Sequence, residues 1–126
     1  MAAGYHLIID GTGNHAPGQF ARQLSRMNDG GYAVEVLYVD RPVMDAMQDT
    51  ITRAIKDGRY VPSEITIKTH QSVSQNFPQV AQLPFLRQVR VFSEGQLIAE
   101  GGKGEAMRSL DDAAYTAFTM KAQKLI

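Results

Sequence analysis

Two short stretches carry residue types able to do chemistry. Near the N-terminus the apolar run Leu7-Ile8-Ile9 ends in an acid and a small-residue loop, Asp10-Gly11-Thr12-Gly13-Asn14. A strand that delivers a carboxylate and a hydroxyl into such a loop typically lines a ligand site at the carboxyl edge of a parallel sheet. Further on, "TITRAIKDGRYVP" holds two arginines, Arg53 and Arg59, on either side of Gly58. Arg59 is confined between that helix-ending glycine and the rigid Val61-Pro62. Arg53 lies off the apolar stripe of its helix, where an arginine is ordinarily just solvated.

Each stretch also has a plainer reading. Asp-Gly-Thr-Gly makes a tight turn, the acid accepting backbone N–H groups and the glycines supplying unusual φ values. Haloacid-dehalogenase-like phosphatases place Asp-Gly-Thr after an apolar strand too, but their nucleophilic acid comes two residues earlier, where this chain has Ile8. Aspartic proteases use Asp-Thr-Gly, a different order on a β-rich fold. His70 has an unperturbed pKa near 6.5 that invites acid–base chemistry. Together with Lys56 and Lys68 it reads equally well as a solvated helix face.

The elements that must position these residues alternate. Residues 17–29 predict a helix, with Pro17 in its first turn, Phe20, Leu24 and Met27 on one face, and Gly30-Gly31 as its stop. "YAVEVLYVD" predicts a strand ending at Asp40. Residues 42–58 predict a helix with Met44, Met47, Ile51 and Ile55 as its apolar stripe and Gly58 as its terminator. A shorter polar helix is expected after Pro62, with Ser63 near its cap. Residues 83–102 read as strand, turn at Glu94-Gly95 and short strand. The last helix begins in a capping-box-like Ser109…Asp112 and buries Leu110, Ala114, Phe118 and Ala122. Strands separated by helices of this length argue for a parallel or mixed α/β sheet, and the absence of any repeat or linker argues for one domain over residues 1–126.

Composition narrows the classes. With 126 residues, 44% apolar, the chain can bury one core. Thirteen basic residues cancel thirteen acidic ones, which argues against nucleic-acid binding through a broad basic face. Zero cysteines exclude disulfides, thiolate metal sites and cysteine nucleophiles. No run reaches the roughly 20 apolar residues of a membrane helix, and no signal peptide is legible. The expectation is a cytoplasmic protein without a membrane partner.

The segment "GYHLIIDGTGNHAPGQFARQLSRMNDGGYAVEVLYVDRP" resembles part of the zeta-toxin family of P-loop kinases, and "TITRAIKDGRYVP" resembles that family's arginine-bearing helix and lid. "VRVFSEGQLIAEGGKG" and the closing helix match its terminal strands and helix in outline. The likeness covers nearly the whole chain but only the second half of the family's kinase domain. It implies a partial P-loop kinase-like, three-layer α/β fold with a mostly parallel sheet. It also implies a toxin–antitoxin setting with an antitoxin partner, and ATP-dependent phosphorylation, with Mg²⁺, of a sugar-nucleotide hydroxyl such as that of UDP-N-acetylglucosamine. On this resemblance Asp10 and Thr12 contact substrate, and Arg53 and Arg59 reach the transferring phosphoryl group, whose charge guanidinium groups stabilise. Lys56, Lys68 and His70 would extend the lid. Asn14 stands where the better-known toxins carry an arginine, and an amide cannot neutralise a diphosphate as arginine does.

One element of the chemistry is missing. The chain contains no G-x-x-x-x-G-K-[ST] loop, and its only Gly-Lys cluster, "GGKG" at 101–104, precedes the last helix with the wrong spacing. The family's catalytic base, an Asp earlier in the domain, has no counterpart. Two expectations follow. Either a second chain or a missing N-terminal segment supplies the phosphate loop, or the chain is a non-catalytic, degenerate kinase fold that oligomerises as a binding module through its open sheet edge.

Overall fold

The computed structural model describes residues 8–9, 18–41, 43–58 and 63–123. Helix α1, Gln19–Asp29, starts from Gly18 and stops where the Gly30 and Gly31 N–H groups bond back to the Arg26 and Asn28 carbonyls. Strand β1, Val34–Asp40, alternates strictly, burying Val34, Val36 and Tyr38 and exposing Glu35, Leu37 and Val39. Helices α2, Val43–Asp57, and α3, Ser63–Ala81, follow. Strands β2, Leu86–Ser93, and β3, Gln96–Gly101, form a hairpin, and the two-residue β4, Arg108–Ser109, precedes α4, Asp112–Met120. Glu94 and Gly95 turn the hairpin with φ of 50° and 79°, the paired left-handed residues that a two-residue turn needs to match strand twist.

The described strands run in the order β1-β2-β3-β4. β1 pairs parallel to β2, and the β2–β3 and β3–β4 pairs are antiparallel. The α/β class expected from the sequence therefore stands, with a mixed sheet in place of a mostly parallel one. The reason is local: Glu94-Gly95 is too short for a crossover, so β3 must fold back on β2. Ile8 and Ile9 lie outside any strand and are exposed, and the rest of the strand expected there falls outside the described residues. Among the described residues the free edge of β1 pairs with no other strand.

Among the described residues the buried apolar side chains form one cluster between the sheet and helices α1, α3 and α4. Val36, Tyr38, Val89 and Val91 supply its floor, and Leu24 of α1, Phe77 and Val80 of α3 and Phe118 of α4 close it. Tyr38, Phe77 and Phe118 meet ring to ring, with centroids 5.1–5.9 Å apart. The opposite face leaves Leu37 and Val39 58% and 83% exposed, so two layers, not three, are seen among the described residues.

Three local expectations need correction. α3 runs through Pro78 to Ala81, longer than its polar sequence suggested. Val73, Phe77, Val80 and Ala81 dock its last turns on the core, and that burial outweighs the roughly 3 kcal/mol cost of an interior proline. α2 packs chiefly against α3 and not against the sheet, so Met44, Ile51 and Ile55 of its expected buried stripe are exposed. At α4 the cap is Asp111, whose carboxylate accepts the Ala114 N–H at 3.0 Å. Ser109 instead donates to the Asp112 carboxylate, and Leu110 is exposed.

Candidate functional site

Parallel strands carry their functional groups at the carboxyl edge, and β1 ends there in Asp40. Its side chain is 9% exposed and pairs with Lys121 Nζ, 8% exposed, at 2.6 Å. The ammonium also donates to the Arg41 carbonyl at 2.6 Å and lies 3.1 Å from His70 Nδ1. Three acceptors thus meet the three hydrogens of one ammonium, provided His70 is neutral and carries its own proton on Nε2. Burial, and then the Lys121 charge, push the His70 pKa below its ordinary value, against a smaller opposing pull from Asp40.

Lys121 reaches this position because α3 grips the end of α4. Ser74 Oγ donates to the Phe118 carbonyl at 2.7 Å, Gln75 Nε2 to the Ala122 carbonyl at 3.0 Å, and Gln71 Nε2 to the Gln123 carbonyl at 3.2 Å. The Phe118 carbonyl also accepts the Lys121 N–H at 3.3 Å, so Ser74 adds a second bond to it, while Gln75 and Gln71 hold the two residues that follow Lys121. A cation beside that end also meets the negative pole of the helix dipole. In the core, the buried Tyr38 hydroxyl has no hydrogen-bond partner among the described residues, and desolvation raises its pKa.

The residues expected from sequence fall into two groups. Asp10, Thr12, Asn14 and Arg59 lie outside the described residues. Arg53 is exposed on the third turn of α2, where it lines a shallow depression with Asp49, Thr52, Lys56 and Asp57. α2 then ends as expected, Gly58 taking φ 71° and its N–H bonding the Ala54 carbonyl at 3.1 Å. His70 is not beside Arg53 on a lid; it faces Lys121 at the sheet edge. Lys68 is exposed.

The described residues do not form a nucleotide cradle. At the Gly101–Gly104 cluster, an added Cβ on Gly102 would come within 2.8 Å of the Arg87 carbonyl, and one on Gly101 within 2.6 Å of Met107 Sδ. This backbone is packed against β2 and Met107, not opened toward an anion. No three His, Asp or Glu side chains converge as a metal site among the described residues.

The family model described as zeta toxin matches residues 1–114. The chain belongs to the zeta toxin family. No curated protein and no solved structure matches it. Within this zeta-toxin chain the match ends inside α4, so Lys121 lies beyond the matched span while Asp40 and His70 lie within it. No described helix is long and apolar enough to cross a membrane.

Sequence reasoning missed Lys121. The signal was present: after Ala114 and Phe118, position 121 falls on the inward face of α4, and a lysine there needs a buried acceptor. The acid at the end of β1 is that acceptor.

Proposed function

We propose that the chain is the substrate- and lid-bearing part of a zeta-toxin-like small-molecule kinase that phosphorylates a sugar-nucleotide hydroxyl once a phosphate-binding loop is supplied by another segment or chain. The observation that carries the reading is the family match across residues 1–114. Arg53 supports it, exposed on a helix that stops at Gly58 immediately before Arg59. In the proposed role both guanidinium groups neutralise charge on the transferring phosphoryl group, and Asp10 and Thr12 hold the sugar. ATP with Mg²⁺ is the donor, the setting is the cytoplasm, and an antitoxin is the regulating partner.

The test mixes the purified chain with a polypeptide carrying a G-x-x-x-x-G-K-[ST] loop and follows phosphate transfer from ATP to UDP-N-acetylglucosamine. Transfer is expected only in the mixture, and Arg59→Ala is expected to lower it by roughly 10³-fold or more. Transfer by the chain alone, or an Arg59→Ala mixture as active as wild type, refutes the assignment.

A second reading, a non-catalytic module that assembles through its sheet, is favoured by the edge of β1, which no described strand pairs, beside exposed Leu37 and Val39. Tight ATP binding by the isolated chain would count against that reading.

A further inference from the structure

Helix α2 carries an apolar seam that nothing among the described residues covers. Met44, Ile51 and Ile55 are 74%, 48% and 83% exposed. With the exposed Gln48 they recur at steps of four, three and four residues, the a/d repeat of a two-helix seam. The half-buried Met47, Thr50 and Ala54 lie to one side of it, and α2 as a whole packs against α3. The seam is therefore additional to the contacts that keep the helix in the fold.

Charge along the other flank of the seam says what fits it. Asp45 stands in the first half of α2 and Lys56 in the second. A parallel copy would put the two charged flanks on opposite sides of the seam, where Asp45 and Lys56 find no counterpart charge. An antiparallel copy, related by a two-fold axis that passes between the two helices level with the midpoint of Gln48 and Ile51, sets Met44 of each chain against Ile55 of the other and Asp45 against Lys56. It also opposes the two helix dipoles. Asp49 on the same flank is already paired with Arg41 at 2.9 Å, so this arrangement makes no demand on it. We propose that α2 pairs antiparallel with α2 of a second copy of this chain through the Met44–Ile55 seam, giving a two-fold symmetric homodimer, the commonest closed assembly.

Arg53 projects from the side of the helix away from the seam and stays open in such a dimer, so the proposal does not rest on the kinase reading. One helix pair is small for a specific interface, which places the association in the micromolar range.

Sedimentation velocity on the full chain, from micromolar to several hundred micromolar, reads the proposal directly. The expected result is a concentration-dependent rise from the mass of one chain to twice that mass. Ile51→Asp, at an exposed position, is expected to keep its circular-dichroism spectrum and remain monomeric throughout. Asp45→Lys is expected to weaken the dimer at least several-fold, and Asp45→Lys with Lys56→Asp to restore it. Because the chain has no cysteine, introduced thiols report the direction of pairing. Met44→Cys with Ile55→Cys should form intermolecular disulfides on mild oxidation, and neither single variant should. A wild-type monomer at the highest concentration overturns the proposal. So does a dimer that survives Ile51→Asp, which would point to the free β1 edge, or a Met44→Cys variant that cross-links alone, which would mean parallel pairing.

Discussion

Replacing Lys121 with methionine keeps most of the side chain's volume and removes its charge. The Asp40 carboxylate, 9% exposed, is then buried without its cation, and the Arg41 carbonyl and His70 Nδ1 lose the same donor. Breaking a buried pair from one side costs about 3–5 kcal/mol. For a domain of this length, with about 3–5 °C of melting temperature per kcal/mol, the expected drop is about 10–20 °C. Asp40→Leu alone should cost a comparable amount, because it leaves the ammonium stranded. The double variant, Asp40→Leu with Lys121→Met, should recover at least half of the summed loss, since a buried ion pair replaced on both sides by apolar groups is often nearly neutral. Urea denaturation followed by circular dichroism, with equal slopes across the four proteins, measures the cycle. A Lys121→Met loss below about 1 kcal/mol, or losses that simply add in the double variant, would refute the view that this pair fastens α4 to β1.

Three further outcomes are expected. His70 is held neutral in the fold, with its pKa below the unfolded value, so the unfolded chain takes up the proton first. Its contribution is complete above about pH 6.5 and lost as pH falls toward the lowered folded value. His70→Asn, which keeps an acceptor for Lys121, should flatten that part of the stability–pH profile while leaving stability near pH 8 within about 1 kcal/mol of wild type. Tyr38→Phe deletes a buried hydroxyl that has no partner and should be neutral or stabilising by up to about 1 kcal/mol in thermal melts; a loss above that size would mean the hydroxyl is bonded in solution. Asp111→Ala removes the acceptor of the Ala114 N–H and should cost about 1 kcal/mol, while Ser109→Ala should cost less, reversing the order a Ser109 cap would give.

Local chemistry was the legible part of the sequence. Gly31, Gly58 and Gly95 mark turns because they take φ of 94°, 71° and 79°, which side chains with a Cβ rarely adopt, and the elements between them follow. β1 was readable as a strand from its alternation alone. What periodicity could not supply was the neighbour of each apolar stripe. The stripe of α2 has a spacing as regular as that of α1, yet α1 meets the sheet through Leu24 and α2 rests on α3. The polar sequence after Pro62 argued for a short α3, and tertiary contact through Phe77 and Val80 carries the helix on through Pro78. The Asp40–His70–Lys121 cluster draws on three elements separated by up to 81 positions, which no local pattern links. Of the expected site, Arg53 is seen exposed as its helical position suggested, and its neighbour in the proposed mechanism, Arg59, lies outside the described residues.

The way α2 is attached carries its own consequence. It leans chiefly on α3, itself tied to the end of α4 by Ser74, Gln75 and Gln71, and the Arg41–Asp49 pair links it to the residue after β1. Among the described residues α2 contributes nothing to the buried core, whose aromatic trio of Tyr38, Phe77 and Phe118 comes from β1, α3 and α4. The helix that bears Arg53 is thus an outrigger to the core, so changes at its α3-facing side are expected to shift the guanidinium before they disturb the sheet.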